Sequence, residues 1–371
     1  MTFSYILRRL FLMVPTLFGI LLINFIIIQA APGGPVEQMI AKVRGESVDP
    51  TARFAGGGQE TQQFQNETAG AMGDHYASKY RGSRGLDPEF IAQLEKLYGF
   101  DKPAHERFLL MMKNFLTFNF GESYFKDAKV LDLIQQKLPV SISLGLWSTL
   151  LIYLISIPLG IRKAVHDGSR FDLVTSGVMI VGYAIPGFLF AILLIVLFAG
   201  GSFWSIFPLR GLTSDGFETF STLGKIADYF WHITLPLIAI SISGFASLTL
   251  LTKNSFLDEI HKQYVMTARA KGCDDRQVLY GHIFRNAMLL IISGFPAAFV
   301  HIFFTSNLLI EVIFSLDGLG LLSFESAISR DYPVVFATLF IFTLVGLVVH
   351  LLGDLTYMLV DPRIDFEKRT G

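Results

Sequence analysis

The sequence predicts an all-α polytopic membrane protein with about six transmembrane helices. Of its 371 residues, 52% are hydrophobic and only 16% are charged, whereas about 25% of the residues in a soluble domain are charged. The charges are missing from long apolar runs, which is typical of chains that cross a membrane. A net charge of −1 argues against nucleic-acid binding, which needs a basic surface to neutralise phosphates. The single cysteine, Cys273, excludes an internal disulfide and a cysteine-based metal site.

Each predicted span is an apolar run of about 20 residues, the length that a helix needs to cross roughly 30 Å of hydrocarbon. The first run is too long for a signal peptide and ends in a poor cleavage site, so we expect it to be retained. The fourth run carries several Ser and Thr, whose hydroxyls can bond back to helix carbonyls. The predicted spans are Leu10–Ala31, Val140–Ile161, Leu173–Ala199, Ile233–Leu251, Ala287–Ile313 and Val334–Val360.

Basic residues in the short loops predict the orientation of the chain, because cytoplasmic loops carry an excess of Lys and Arg. With the N-terminus inside, the inner set is Arg8, Arg9, Arg162, Lys163, Arg170, Lys253, Lys262, Arg269, Lys271, Arg276, Arg285, Arg363, Lys368 and Arg369. The short outer loops carry only Arg210, Lys225 and Arg330. Both termini are therefore predicted to be cytoplasmic.

Three regions follow from this topology: residues 1–31 with the first span, an outer segment at 32–139, and a core at 140–371. In the outer segment, residues 45–85 are rich in Gly, Gln and Ser and predict a flexible loop. Residues 87–118 predict a pair of short helices, too small to fold alone, which pack on the outer mouth of the bundle or under a docking protein. We interpret their apolar stripes as core and not as a ligand site. The stripes are Phe90, Leu94 and Leu97, then Phe108, Met111, Met112 and Phe115.

The longest cytoplasmic segment is residues 253–286. The run Ser255-Phe256-Leu257-Asp258 predicts a capping box that opens a helix extending to Ala270. Gly272 is expected to end that helix in a left-handed conformation, and Asp274 or Asp275 to cap a second short helix. A compact helix–turn–helix suits insertion into a groove on a partner, but a plain basic connector fits these residues equally well.

The run from Tyr264 to Gly272 resembles the "EAA" loop of binding-protein-dependent ABC importer permeases, in the form typical of the dipeptide/oligopeptide/nickel branch. Met266 stands where the general loop has its opening Glu, and His282–Arg285 replaces its closing I-x-L-P. Further motifs of that branch follow in the expected order along nearly the whole chain. They include Ala31-Pro32-Gly33, Gly121-Glu122-Ser123-Tyr124, Ile185-Pro186-Gly187-Phe188, Asp317-Gly318-Leu319-Gly320, Arg330-Asp331-Tyr332-Pro333 and Asp361-Pro362-Arg363.

The resemblance implies a non-catalytic permease of the bacterial inner membrane that carries peptides. Its implied partners are a second, similar permease, an ABC ATPase that holds ATP and Mg, and a periplasmic peptide-binding protein. The run Pro32–Gln38 and the long outer segment are most similar to the B-type permeases of oligopeptide importers linked also to microcin C uptake. The implied ATPase-coupling residues are Tyr264, Val265, Thr267, Ala268, Arg269, Ala270, Lys271 and Gly272.

The chain has no phosphate-binding loop of its own. The one Gly-Lys pair that could close such a loop, Gly224-Lys225, is followed by Ile226, and Thr219 stands where the first Gly belongs. We also find no metal site and no nucleophile–base constellation of an intramembrane enzyme; His105-Glu106 lacks the second His of a zinc protease. The energy for transport must therefore come from outside this polypeptide.

A proton-coupled secondary transporter is the main alternative. His350 and Asp354 lie one helical turn apart in the last span, and His301 lies in the fifth, so they could form a proton relay. The simpler interpretation is that Asp354 reaches water or a basic partner near the inner surface, while His350 is a neutral packing residue. We favour the simpler interpretation, because one such pair is sparse for a proton-coupled mechanism.

Glu311 and Asp317 flank the outer end of the fifth span. They are candidates for an outer gate or for contact with a binding protein, and equally for solvated charges that cap a helix. Prolines such as Pro158, Pro186 and Pro236 predict kinks in the spans.

Overall fold

The computed structural model describes residues 2–30, 102–201, 203–304 and 308–360, with the side chains of 6–27, 102–201, 203–295 and 308–355. Helices make up nearly all of the regular structure in these ranges, which hold no strand beyond an isolated β-bridge between Glu122 and Lys129. The predicted all-α fold class is confirmed. The predicted flexible loop at 45–85 and the first helix of the outer pair lie outside the described residues.

The described α-helices are numbered in chain order. They are α1 Thr2–Ala30, α2 Ala104–Leu116, α3 Val130–Val165, α4 Arg170–Ala184, α5 Gly187–Phe198, α6 Thr222–Ile260, α7 Gln263–Ala270, α8 Asp275–Gln277, α9 Phe284–Phe304, α10 Leu308–Ile313, α11 Leu319–Ser329 and α12 Tyr332–Val360. A short 3₁₀ helix, Phe217–Thr219, precedes α6, and a π-helix, Val278–Ile283, joins α8 to α9.

Five helices of the described chain are long and apolar enough to cross a membrane, and the bent pair α4–α5 raises the number to six. The predicted third span, Leu173–Ala199, is not one straight helix: α4 and α5 meet at an angle of 99°. Pro186 causes the break, because proline has no N–H to donate and keeps the preceding residue out of the helical region. Accordingly, Ile185 is extended, with φ −85° and ψ 119°.

In the predicted fifth span, the structure describes α9 as far as Phe304 and α10 from Leu308 onward. Most of the other helices run beyond their predicted apolar cores. The helix α6 covers 39 residues, so it extends into the polar segments on both sides of its apolar stretch. The C-terminal end of α6 leads into the segment with the candidate site.

The chain forms two compact units, the first of which comprises residues 1–13, 137–322 and 342–371. One core of this unit joins α3, α5, α6 and α10 through residues such as Leu144, Ala191, Ile233 and Ile310. A second core contains Phe256 of α6, Val265 of α7, and Ala287 and Ile291 of α9. The second core fixes α7 to the long helices α6 and α9.

The second unit comprises residues 14–136 and 323–341. Phe115 of α2 packs edge-on against Phe340, with ring centroids 5.5 Å apart, and Phe108 packs against Phe18 in the same manner. The apolar stripe of α2 thus lies in a packed interface. Ser123 donates a hydrogen bond to the buried carboxylate of Asp331, which brings together two of the motifs noted above.

Candidate functional site

The helix α7 is a separate two-turn element between α6 and the π-helix. The helix α6 continues to Ile260, and Lys262, with φ −75° and ψ 150°, starts α7 at Gln263. The predicted capping box at Ser255 is therefore wrong. Ser255 lies inside α6 and donates its hydroxyl to the carbonyl of Ala287 at 2.8 Å, so it ties α6 to α9 and does not open a helix.

The C-terminus of α7 closes with a Schellman motif. Gly272 has φ +86°, and its N–H donates to the carbonyl of Arg269 at 2.9 Å, while the N–H of Cys273 donates to the carbonyl of Ala268 at 3.3 Å. This pair of bonds satisfies carbonyls that a helix end otherwise leaves without partners. The predicted left-handed role of Gly272 is confirmed, and Cys273 packs against the second core as a small apolar residue.

The chain then continues through α8 toward the long helix α9. Asp274, not Asp275, caps this helix: its carboxylate accepts from the N–H of Gln277 at 2.6 Å, and the side chain of Gln277 accepts from the N–H of Asp274 at 3.2 Å. This reciprocal pair is a capping box. The predicted second helix of the loop is thus confirmed, and it continues through the π-helix into α9 without a break.

The two faces of α7 differ sharply. Val265 and Ala268 are buried in the second core, with 0% and 6% of their surface exposed. Met266, on the opposite face, is 68% exposed, and Thr267, Arg269, Ala270 and Lys271 are exposed as well. Sequence reasoning left Met266 out of the candidate site, although the i, i+3 spacing of Val265 and Ala268 places Met266 on the outer face.

A polar cluster fixes the start of α7. The Tyr264 hydroxyl donates to Glu259 at 2.7 Å and accepts from the Asn286 amide at 3.4 Å, and Lys262 pairs with the same Glu259 carboxylate. Burial raises the pKa of the Tyr264 hydroxyl, and the hydrogen bond to Glu259 raises the pKa of Lys262. At neutral pH both groups therefore keep their protons and hold Glu259. Sequence reasoning missed Glu259, because its partners Lys262 and Tyr264 lie beyond the turn that separates α6 from α7.

The two candidate gate residues occupy different environments. Glu311 is 1% exposed; it accepts hydrogen bonds from the Ser141 hydroxyl at 2.8 Å and from the N–H of Leu321 at 3.0 Å. Glu311 belongs to α10, but its carboxylate lies at the N-terminus of α11 and is a buried cap for that helix. The interpretation of Glu311 as a solvated charge is therefore wrong. Asp317 is 69% exposed and pairs with Lys137. The structure does not bring Glu311 and Asp317 into one exposed pair.

His350 and Asp354, the candidate proton relay of the last span, lie one helical turn apart in α12. Asp354 pairs with Arg9 at 2.8 Å, as expected for a carboxylate that reaches a basic partner. His350 is exposed on this chain, so its interpretation as a packing residue stays a prediction, and the side chain of His301 lies outside the described ones. Among the described side chains, Asp354 is thus held by an arginine.

Comparison with known proteins shows that this arrangement of membrane helices belongs to a permease of a binding-protein-dependent transport system. Residues 156–366 match the family described as "Binding-protein-dependent transport system inner membrane component". That match covers more than half of the chain, and the chain belongs to this family. It is a multi-pass permease subunit of the inner membrane.

The curated relatives extend over almost the whole chain. The chain is 62% identical over 366 residues to the "Peptidoglycan transport system permease protein YejB" of Agrobacterium fabrum, with 99% of both chains covered. It is 58% identical to the "Inner membrane ABC transporter permease protein YejB" of Escherichia coli O157:H7, covering 99% of this chain and 100% of the relative. The "Oligopeptide transport system permease protein AppB" of Bacillus subtilis is 32% identical, with 98% and 99% covered. The predicted resemblance to the B-type permeases of this branch is confirmed.

Proposed function

We propose that this chain forms half of the translocation pathway of an ATP-driven peptide importer and that α7 docks it onto a separate ABC ATPase. A second, similar permease supplies the other half of the pathway, and a periplasmic protein delivers the peptide. ATP and Mg bind the ATPase, so this chain needs no cofactor. In this arrangement both termini and α7 face the cytoplasm, in agreement with the distribution of Lys and Arg.

The two-faced geometry of α7 carries the proposal. Val265 and Ala268 anchor one face in the core, while Met266 projects from the other as an apolar side chain surrounded by polar ones. An exposed apolar residue with a polar rim is the usual composition of a protein contact. A Schellman motif closes the C-terminus of α7, the Tyr264–Glu259 hydrogen bond holds its start, and the core fixes one side. A displacement imposed on α7 is therefore passed to α6 and α9 and is not absorbed by a flexible loop.

The proposed cargo is a short peptide. The relatives are named for peptidoglycan and oligopeptide transport, and a peptide chain is the chemistry that these two names share. The choice among peptides is expected to rest largely on the periplasmic protein.

The docking contact can be tested at Met266. In Met266→Asp, a carboxylate is placed where the proposed contact excludes water, and the expected loss is that of an interface hot spot, about 2 kcal/mol or a roughly 30-fold weaker ATPase association. Met266→Leu keeps an apolar side chain of similar volume and should bind normally. The measurement is the amount of ATPase that co-purifies with the tagged permease at equal membrane abundance.

The energy source is tested in vesicles. Purified complex in proteoliposomes should import a labelled oligopeptide only with ATP and the periplasmic protein. Uptake by this chain alone under a proton gradient, or undiminished ATPase association in Met266→Asp, would refute the proposal.

A further inference from the structure

A buried cluster of charged side chains joins three helices near the inner end of the first unit. Lys163 lies in the last turn of α3, Asp172 in the first turn of α4, and Lys253 in α6. Sequence reasoning counted Lys163 and Lys253 among the basic residues of the cytoplasmic side. In the structure the side chain of Lys163 is buried, with 0% exposed, and that of Lys253 is largely covered, with 14% exposed.

Every N–H of the Lys163 ammonium has an acceptor. Its Nζ donates to the carbonyl of Asp172 at 2.9 Å, to the Thr175 hydroxyl at 2.7 Å and to the Ser176 hydroxyl at 2.8 Å. The Asp172 carboxylate lies 3.0 Å from the same nitrogen. An ammonium group has three protons to donate, and the three neutral acceptors take them, so the carboxylate contact is an ion pair and not a fourth hydrogen bond. This arrangement fixes the direction of the Lys163 side chain relative to α4.

The same carboxylate also binds α6. Lys253 Nζ lies 2.7 Å from Asp172 Oδ2 and 2.7 Å from Asp167 Oδ1, and the N–H of Gly168 donates to Asp172 at 3.2 Å. Asp172 is therefore shared by two lysines from two different helices. Asp167 is 47% exposed, so its pair with Lys253 is a surface contact of small energy.

The helices α3 and α6 touch beside this cluster. A Cβ atom added to Gly160 of α3 would lie 2.5 Å from Cβ of Thr252, so only glycine permits this approach. Thr252 precedes Lys253, and α6 ends at Ile260, two turns further on, directly before α7. The cluster thus fixes the turn between α3 and α4 (residues 166–169, the α3–α4 corner) to the part of α6 that leads into α7.

We propose that Lys163, Asp172 and Lys253 are positioning residues for transport: they make the α3–α4 corner move as one block with α6 and α7. The inference rests on the proposed function, since it requires that the ATPase displaces α7. Stability alone does not account for the cluster, because apolar side chains of similar volume are often as stabilising as a buried ion pair. Buried polar or ionic groups specify a single arrangement in some proteins, and in this proposal the directed contacts of the cluster do so for the three helices.

The test must separate positioning from folding. Lys163→Met combined with Asp172→Asn removes the buried charge pair without leaving an uncompensated charge, so the complex should still assemble. Lys253→Met removes the link to α6, and Lys253→Arg keeps its charge. Asp167→Asn is the matched control, because it removes only the exposed partner of the same lysine. All variants are measured in the complete importer with its ATPase, second permease and periplasmic protein.

The readout is peptide uptake per ATP hydrolysed in proteoliposomes, which a loss of protein alone does not change. We expect Lys253→Met and the double variant to hydrolyse ATP while uptake per ATP falls about 10-fold, within the range of coupling between sites. Lys253→Arg and Asp167→Asn should stay near the wild-type ratio. If the double variant assembles in smaller amount but keeps the wild-type uptake per ATP, the cluster only stabilises the fold, and the inference is overturned. A wild-type complex that shows no ATP-dependent uptake would instead refute the proposed function.

Discussion

Replacement of Gly272 by valine is the sharpest test of how α7 is held. Gly272 has φ +86°, and a Cβ atom added there meets no atom within 4 Å. The substitution therefore creates no collision, and its whole effect comes from the backbone. Uptake and transport-coupled ATP hydrolysis should fall, while the protein still reaches the membrane.

The magnitude follows from the left-handed conformation. An L-residue pays about 1–2 kcal/mol there, and a β-branched residue lies at the upper end of that range. This cost lowers the equilibrium ratio of the native turn to the opened turn roughly 5- to 30-fold. Such a shift opens the Schellman bonds at Arg269 and Ala268 but leaves most of the folding free energy, about 5–15 kcal/mol for a typical domain, intact.

The assay compares three variants at equal abundance in membranes. Gly272→Val is expected to lower peptide uptake about 5- to 30-fold. Gly272→Asn should retain more activity, because asparagine tolerates the left-handed region better than other residues. Gly281→Val is the matched control: its Cβ atom also meets open space, but its backbone has no positive φ.

The result that would refute this reasoning is normal uptake in Gly272→Val. Equal losses in Gly272→Val and Gly281→Val would also contradict it, since the effect would then come from side-chain bulk and not from the backbone conformation.

Three further substitutions test other parts of the structure. In Gly318→Ala the new Cβ lies 2.5 Å from Oε2 of Glu311, so thermal unfolding in detergent should show a loss of about 1–3 kcal/mol. The two carboxylate oxygens of Asp331 accept from the Ser123 hydroxyl and from the N–H of Tyr124. In Asp331→Asn an NH₂ group replaces one of these oxygens, so the same assay should show the free energy of unfolding lowered by about 1–3 kcal/mol. In Asp354→Asn a partly exposed pair is lost, so ATP-driven uptake should stay within about twofold.

Each of these predictions has a control or a contrary outcome. Gly177→Ala adds a Cβ where no atom lies within 4 Å and should leave the unfolding temperature unchanged. Glu325→Gln removes an exposed partner of Lys126 and should cost far less than Asp331→Asn. Loss of all uptake in Asp354→Asn would revive the proton-coupled alternative.

Local signals in the sequence predicted the features that depend on local backbone geometry. Gly272 was recognisable because a left-handed helix end favours glycine wherever it occurs. A cap at Asp274 or Asp275 was recognisable from the sequence, and the structure assigns it to Asp274, whose hydrogen-bond partner Gln277 is three residues away. The bend at Pro186 was foreseen as a kink, but its size depends on packing against α6 and could not be deduced from the residue itself.

Features that depend on distant partners could not be predicted. Ser255 has the local pattern of a cap, yet its hydroxyl bonds to Ala287, 32 residues away, and α6 continues through it. Lys163 matched the rule for basic residues at the cytoplasmic side, but that rule does not state whether a lysine is solvated or buried. The burial of Glu311 could not be foreseen, because Ser141, whose hydroxyl donates to it, lies 170 residues earlier in the chain.

The structure gives different physical reasons for the positions that match the loop motif and for Met266, which departs from it. Val265 and Ala268 must be small and apolar because they are buried in the core, and Gly272 must be glycine because of its positive φ. Met266 is two-thirds exposed, so packing within this chain does not fix its identity. A methionine can therefore stand where the general loop has Glu without disturbing α7. If α7 docks as proposed, the complementary change belongs on the ATPase, whose cleft should present apolar side chains and not a basic group to this position.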